Sequence, residues 1–403
     1  MSGMDEQPAE PAGQGAAGQG VAGQGAPLRV GLVIDDSLDR PDGVQQHVLT
    51  LGAWLSGQGH EVHYLSSTTV RTDLANMHSL ARNLRLKFNG NRLGIPLPAP
   101  ARGITALLGS VDFDVLHINM PYSPLLAGRV IARARPGTRV VGTFHILPWT
   151  RLTRWGTRLL GLVQRRQLRR FTTVIAVSAP AAVFAAEALH VSPVVIGNPV
   201  DVARFAQARE AELARVAEPA GTDQHPVRIV FLGRLVERKG AGELLRAVAA
   251  LRALTPAPVQ VVLGGTGPLR DELEAYVAAQ GLGDCVEFIG YVAEEDKAAL
   301  LAGADVVALP STGGESFGIS VVEALAASRG VVLAGDNPGY RTVMEGLEDQ
   351  LVDATDTPAF AIALKRYVDD AAARTEASAR QVIHAGRFDV NVIGAQVLEV
   401  YRG

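Results

Sequence analysis

Glu315 and Glu323 stand eight residues apart in GGESFGISVVEALAASRGVVLAG (313–335), the first in a glycine-rich turn and the second among valines and alanines. A carboxylate inside VVEALAA is costly unless something pairs with it, because an unpaired buried charge forfeits its hydration. The turn follows the strand-like run DVVALPS, and a helix is expected to start near Ser316 or Phe317. The free N–H groups around Ser316, Phe317 and Gly318 would then favour an anion, a phosphate above all. Glu315 could accept hydrogen bonds from sugar hydroxyls. Glu323, two turns further on, could take both hydroxyls of a ribose on one carboxylate. Two plainer readings stay open: Glu315 as a helix-start residue and Glu323 as the partner of an arginine.

Three further segments carry candidate chemistry. FLGRLVERKG (231–240) sets Arg234 and Lys239 just beyond a strand. A guanidinium fork and a compact ammonium suit a diphosphate whose charge grows as it departs, although a solvated pair on a loop would look the same. SLDRPDGVQQHV (37–48) follows the first strand, and Gly43 there lets a backbone N–H approach an oxyanion, or simply makes a turn. GTFHILP (142–148) ends a strand on His145, whose imidazole could bond a sugar hydroxyl or a neighbouring backbone group.

These residues need elements to hold them. The short β-branched runs RVGLVI, EVHYLS, DVLHIN, RVVGTFH, TVIAVS and PVVIGN alternate with helical patterns, as in a parallel sheet with helical crossovers. A second series follows with RIVFLGR, VQVVLGG, VEFIG, DVVALPS and GVVLAG. The fold class expected is α/β: two Rossmann-like doubly wound domains facing across a cleft, the GT-B architecture, with ligands at the carboxyl ends of the strands. The expected division is a Gly/Gln-rich tail over 1–27, a first domain over 28–200 and a linker over 201–226. A second domain over 227–385 and a closing helix over 386–403 complete it. LGGTGPLRDELEAY departs from a dinucleotide fingerprint, because Arg270 stands at its third glycine position.

The single cysteine, Cys285, rules out internal disulfides and cysteine-built clusters and suits a reducing, cytoplasmic setting. DFD (112–114) lies at a strand start, away from the expected cleft, and no metal is assigned. Charge is split: residues 28–200 hold 19 Lys and Arg against 9 Asp and Glu, whereas 201–403 hold 19 against 29. The basic half is expected to meet something anionic. A pI of about 6.3 argues against nucleic acid as a partner. The stretch RLTRWGTRLLGLVQRRQLRR (151–170) carries seven arginines, no acid and an apolar stripe at Leu152, Trp155, Leu159 and Val163. That pattern fits an interfacial helix on anionic lipid, or a core-packed helix with a solvated basic face.

Taken together, SLDRPDGVQQHV, DFDVLHINMP, GTFH, FLGRLVERKG and GGESFGISVVEALA resemble the family 4 glycosyltransferases, most of all the actinobacterial phosphatidylinositol mannosyltransferases. The resemblance runs from about Arg29 to Tyr401. It implies a retaining transferase moving a hexose, mannose favoured, from a GDP- or UDP-linked donor to a lipid-linked or glycolipid acceptor, with no cofactor. It places Arg234, Lys239 and the Gly43 amide on the donor diphosphate, Glu315 on the transferred sugar, Glu323 on the ribose and His145 beside the reacting centre. Three segments depart from the pattern: Asp42-Gly43 replaces a glycine pair, Ile146, Leu147 and Pro148 replace a polar run after His145, and Asn198-Pro199-Val200-Asp201 replaces Asn-Gly-Val-Asp. A GT-B nucleotide-sugar epimerase, a transferase with a soluble acceptor and a non-enzymatic membrane-docking scaffold are the alternatives.

Overall fold

The computed structural model describes residues 25–39, 42–88, 91–96, 99–148, 150–215, 221 and 225–403; all but the last three residues of the expected tail lie outside this set. The first β-branched runs become β1 (Arg29–Val33) and β2 (Glu61–Ser66), followed by a short β3 (Met77–Ser79). A hairpin of β4 (Asn83–Phe88) and β5 (Asn91–Pro96) stands apart from the main sheet. Next come β6 (Val115–Ile118), β7 (Arg139–Phe144), β8 (Thr173–Ala176) and β9 (Val194–Val195). The seven-stranded parallel sheet runs β3-β2-β1-β6-β7-β8-β9, so its order reverses between β1 and β6. That switch point opens a crevice at the carboxyl ends of the strands.

The second sheet is built from β10 (Val227–Leu232), β11 (Val259–Gly264), β12 (Val286–Gly290), β13 (Val306–Leu309), β14 (Val331–Gly335) and β15 (Leu351–Val352). Its order is β12-β11-β10-β13-β14-β15, again parallel, with the switch point between β10 and β13. Val, Ile and Leu fill both faces of the central strands, which are fully buried because helices cover both sides. In GGTG, a Cβ on Gly265 would stand 1.8 Å from the Gly233 carbonyl and one on Gly267 2.2 Å from that of Leu235. Those glycines serve close packing of backbone on backbone.

The expected linker changes character, and the closing helix finds its place. Most of the stretch expected as a linker over 201–226 is the helix Val202–Arg215, which packs on the second domain. Its Phe205 lies fully inside that core, and Arg209 donates to the Ser328 carbonyl. The alanine-rich charged composition hid one buried aromatic anchor. The closing segment forms a 3-10 turn at Gly386–Phe388 and the helix Val390–Arg402, and that helix returns to the first domain. Ile393, Val397 and Tyr401 complete a core with Val30, Leu32 and Leu51. The chain thus passes between domains twice, side by side: Val200 N–H donates to the Phe388 carbonyl at 3.0 Å, and Val390 N–H to the Val200 carbonyl at 2.8 Å.

Candidate active site

The helix after Glu315 begins at Ile319, with Gly318 as its N-cap, and not at Ser316 or Phe317. Gly314 and Gly318 take φ values of +70° and +122°, conformations closed to a regular helix and open to glycine. Phe317 turns into the core, 2% exposed, with its ring 5.4 Å from that of Phe388. It is a packing residue, and Ser316 belongs to the loop.

The loop holds Glu315 where it was expected, at the carboxyl end of β13, and gives it three partners. Arg238 Nη1 lies at 2.6 Å, Lys239 Nζ at 2.9 Å and Ser311 Oγ at 3.0 Å. Burial pushes the Glu315 carboxyl up, but Lys239 and Arg238 outweigh it and hold the group below its ordinary value. Burial likewise pushes Lys239 down, while Tyr340 and Glu315 raise it further, so its ammonium stays charged. Arg238, between the two cations named from sequence, was missed. Arg234 is exposed and has no side-chain partner among the described residues, leaving its fork available at the rim.

Glu323 is 1% exposed, and what holds it comes from across the cleft. Gln46, on the helix Gly43–Gly57 of the first domain, donates from Nε2 to Glu323 Oε1 at 2.7 Å. Lys297 Nζ stands 3.8 Å from the same oxygen and 2.6 Å from Glu294. Arg204 also pairs with Glu294 at 3.2 Å. Burial pushes the Glu323 carboxyl up to about 7, with Lys297 opposing and Glu294 adding to the rise. Gly43 faces the second domain: a Cβ there would lie 3.9 Å from Ile319 Cδ1, so the starts of two helices oppose one another. Its N–H is engaged by the Asp42 carboxylate at 2.9 Å.

His145 sits in a buried histidine cluster on the first-domain wall. Its Nε2 lies 3.2 Å from Asn119 Oδ1, and its ring is 4.7 Å, edge to face, from that of His47. His47 Nδ1 meets Asn198 Oδ1 at 2.9 Å, and His117 bridges Tyr401 and Thr143 at 2.6 Å each. Burial pushes His47 down to about 4 and His117 and His145 well below the usual range, so all three are neutral imidazoles at neutral pH. The loop after β1 adds Asp35 and Asp36, both pushed up by burial. Ile146 and Leu147 lie against the core.

The structure therefore brings Lys239 and Glu315 together, sets Gly43 opposite the start of the helix that carries Glu323 in its middle, and puts His145 in the first-domain wall. Gln46 and His47 escaped the sequence reading, although Gly43, Gln46 and His47 fall at i, i+3 and i+4, one face of a helix.

Two doubly wound domains with facing crevices, one offering cations and hydroxyl-accepting carboxylates, define a GT-B glycosyltransferase. The model described as Glycosyltransferase Family 4 matches residues 41–204, and that described as Glycosyl transferases group 1 matches 226–370. The chain is 35% identical over 381 residues to the phosphatidyl-myo-inositol mannosyltransferase of Mycolicibacterium smegmatis, covering 93% of each. It is 28% identical, covering 84% of this chain and 89% of the other, to the GDP-mannose-dependent alpha-(1-6)-phosphatidylinositol monomannoside mannosyltransferase of the same organism. Among solved structures, Anabaena HepE in complex with UDP superposes with a TM-score of 0.70 at 19% identity, over 93% of this chain and 99% of that one. The protein belongs to glycosyltransferase family 4.

Proposed function

We propose that the enzyme transfers a mannosyl residue from GDP-mannose, with retention, to a hydroxyl of a glycolipid at a membrane surface. The observation that carries this reading is the Glu315–Arg238–Lys239 cluster at the switch point of one domain, facing the neutral histidine wall of the other. Mannose, its GDP carrier and the lipid acceptor come from the relatives' names.

The donor diphosphate would lie between Lys239, Arg234 and the start of the helix Ile319–Ala327, with Gly43 opposite. These cations and dipoles stabilise the charge that develops as the diphosphate departs. Glu315, ionised and held by Lys239 and Arg238, would accept hydrogen bonds from the sugar, and Glu323 from the ribose. The neutral His145 can orient the acceptor hydroxyl without bringing a competing positive charge. The proton of that hydroxyl would pass to the departing phosphate oxygen, on the face where the new bond forms. The rate would then come mainly from orientation and charge stabilisation.

The membrane reading gains support from exposure. Leu152, Trp155, Leu159 and Val163 are 75, 63, 45 and 63% exposed, so the stripe on the helix Arg151–Val163 is not core-packed. Thr157 and Gly161 make the buried face instead, and a Cβ on Gly161 would strike the Ala188 carbonyl at 2.2 Å. Arg165, Arg166 and Arg169 have no ion pair among the described residues, where no helix is long and apolar enough to cross a membrane.

The test is a transfer assay with purified protein, labelled GDP-mannose and a UDP-sugar panel, and bacterial lipid extract supplemented with phosphatidylinositol. Labelled lipid from GDP-mannose, lost in Glu315→Gln, is expected. An isomerised donor in the absence of lipid would replace this reading with epimerisation, and labelling of soluble glycans alone would remove the lipid acceptor.

A further inference from the structure

Glu323 is the least exposed carboxylate of the cleft, and Gln46 bonds it from the other domain. The carboxamide of Gln46 is used completely. Its Nε2 donates to Glu323 Oε1 at 2.7 Å and to Glu294 Oε1 at 2.9 Å, while its Oε1 accepts from Lys297 Nζ at 3.4 Å. One of these N–H groups is spent on the Glu323 oxygen that a ribose hydroxyl would use, and the other on Glu294. Lys297 Nζ stands 3.8 Å from the same Oε1, and Glu323 is 1% exposed. A ribose hydroxyl that takes Oε1 of Glu323 must therefore exchange places with Gln46.

We propose that Gln46 is an internal competitor of the donor: its side chain occupies the hydroxyl seat on Glu323, latches the two domains across the cleft, and is displaced when the nucleotide enters. The proposal rests on the reading of Glu323 as the ribose seat. The exchange costs little in hydrogen bonds, because a hydroxyl replaces the Gln46 donor on Glu323 while Glu294 keeps Arg204 and Lys297. It nevertheless lowers the apparent donor affinity by the fraction of molecules in which the seat is taken. It also couples donor entry to release of a contact that joins the first helix of one domain to two carboxylates of the other. Domain movement and donor binding would then share one bond.

The experiment measures GDP affinity calorimetrically at pH 8, where Glu323 is largely ionised, for the wild type, Gln46→Ala and Glu323→Ala. It is repeated with 2′,3′-dideoxy-GDP, which lacks the diol. Alanine keeps the helix intact. The expected result is about tenfold tighter GDP binding by Gln46→Ala, the scale of one hydrogen bond to a charged group. With the dideoxy nucleotide that gain should vanish, and the donor KM should fall in parallel with the GDP affinity. If Gln46→Ala binds GDP no better than the wild type while Glu323→Ala binds it worse, Gln46 is not a competitor but Glu323 remains the ribose seat. If Glu323→Ala leaves GDP affinity unchanged, the ribose seat lies elsewhere and the proposal falls with it. An equal gain for GDP and the dideoxy analogue would mean that Gln46 acts on domain closure alone, which also overturns the competition.

Discussion

Glu315 and Glu323 lie on one loop and one helix of the same domain, yet their surroundings drive them in opposite directions. Glu315 is flanked by Arg238, Lys239 and the Ser311 hydroxyl and is held ionised. Glu323 receives a neutral carboxamide and a more distant ammonium, and burial carries it up to about 7. One carboxylate is fixed in charge by its neighbours, while the other is balanced between two charge states. The contrast separates a site that works by constant electrostatics from one that can be altered by its occupant.

The largest effect should come from breaking the fixed half. Lys239→Ala removes a cation from the departing diphosphate and leaves Glu315 with one fewer partner. It should lower kcat/KM by about 10²–10³, the loss seen when one stabilising donor is removed from a charged transition state. Lys239→Arg, which keeps the charge, should recover part of the rate; full activity in the alanine variant would show that the cluster is not at the reacting centre.

The balanced half predicts a dependence of stability on pH. The folded-state pKa of Glu323 is raised above its unfolded value, so the folded protein holds this proton more tightly. Its contribution to stability is fully present below about pH 4.5 and is lost as pH rises through about 7. A rise of this size corresponds to about 3 kcal/mol between those limits. Glu323→Gln should abolish that slope, so that denaturant unfolding shows the variant gaining on the wild type from pH 5.5 to 8.5. Identical slopes in the two proteins would place the titration elsewhere.

Smaller effects probe the opposite wall. His145→Ala should reduce kcat about tenfold, consistent with loss of one neutral orienting contact. Its His145→Gln counterpart should retain more activity, since a neutral amide can replace a neutral imidazole. Because burial keeps all three histidines neutral, activity should show no inflection near pH 6.5 that these variants remove. Weakest per residue is the basic helix. Reversing Arg165, Arg166 and Arg169 to Glu should weaken sedimentation with anionic vesicles by about 1 kcal/mol for each charge removed. Binding that persists unchanged in high salt would shift the attachment to the apolar stripe.

The fold was legible because its central strands are buried on both faces, and RIVFLG or VVALP can be little else. Glu315, Glu323 and Lys239 were legible for a related reason: charged residues at strand ends or inside apolar runs must be held by something. The start of the helix was not, since a loop made by glycines at positive φ has the same composition as a helix N-terminus. Phe317 resembled a first-turn residue while its ring belonged to the core. Arg238 was masked by its neighbour Lys239, and only the turn at Glu237–Lys239 decides that both reach Glu315. Gln46 was invisible for a deeper reason: its partners lie 248 and 277 residues away, and no local pattern carries that distance.

The helix Val390–Arg402 has a consequence for how the molecule is made. Its Tyr401 packs in the first-domain core and its hydroxyl bonds His117, one of the three buried histidines of that domain's wall. Chains emerge from the ribosome N-terminus first, and domains commonly fold in that order. Here part of the first-domain core, Ile393, Val397 and Tyr401, is supplied by a helix that follows the second domain in sequence. The histidine wall of the cleft thus depends on that same helix, through the Tyr401 hydroxyl on His117.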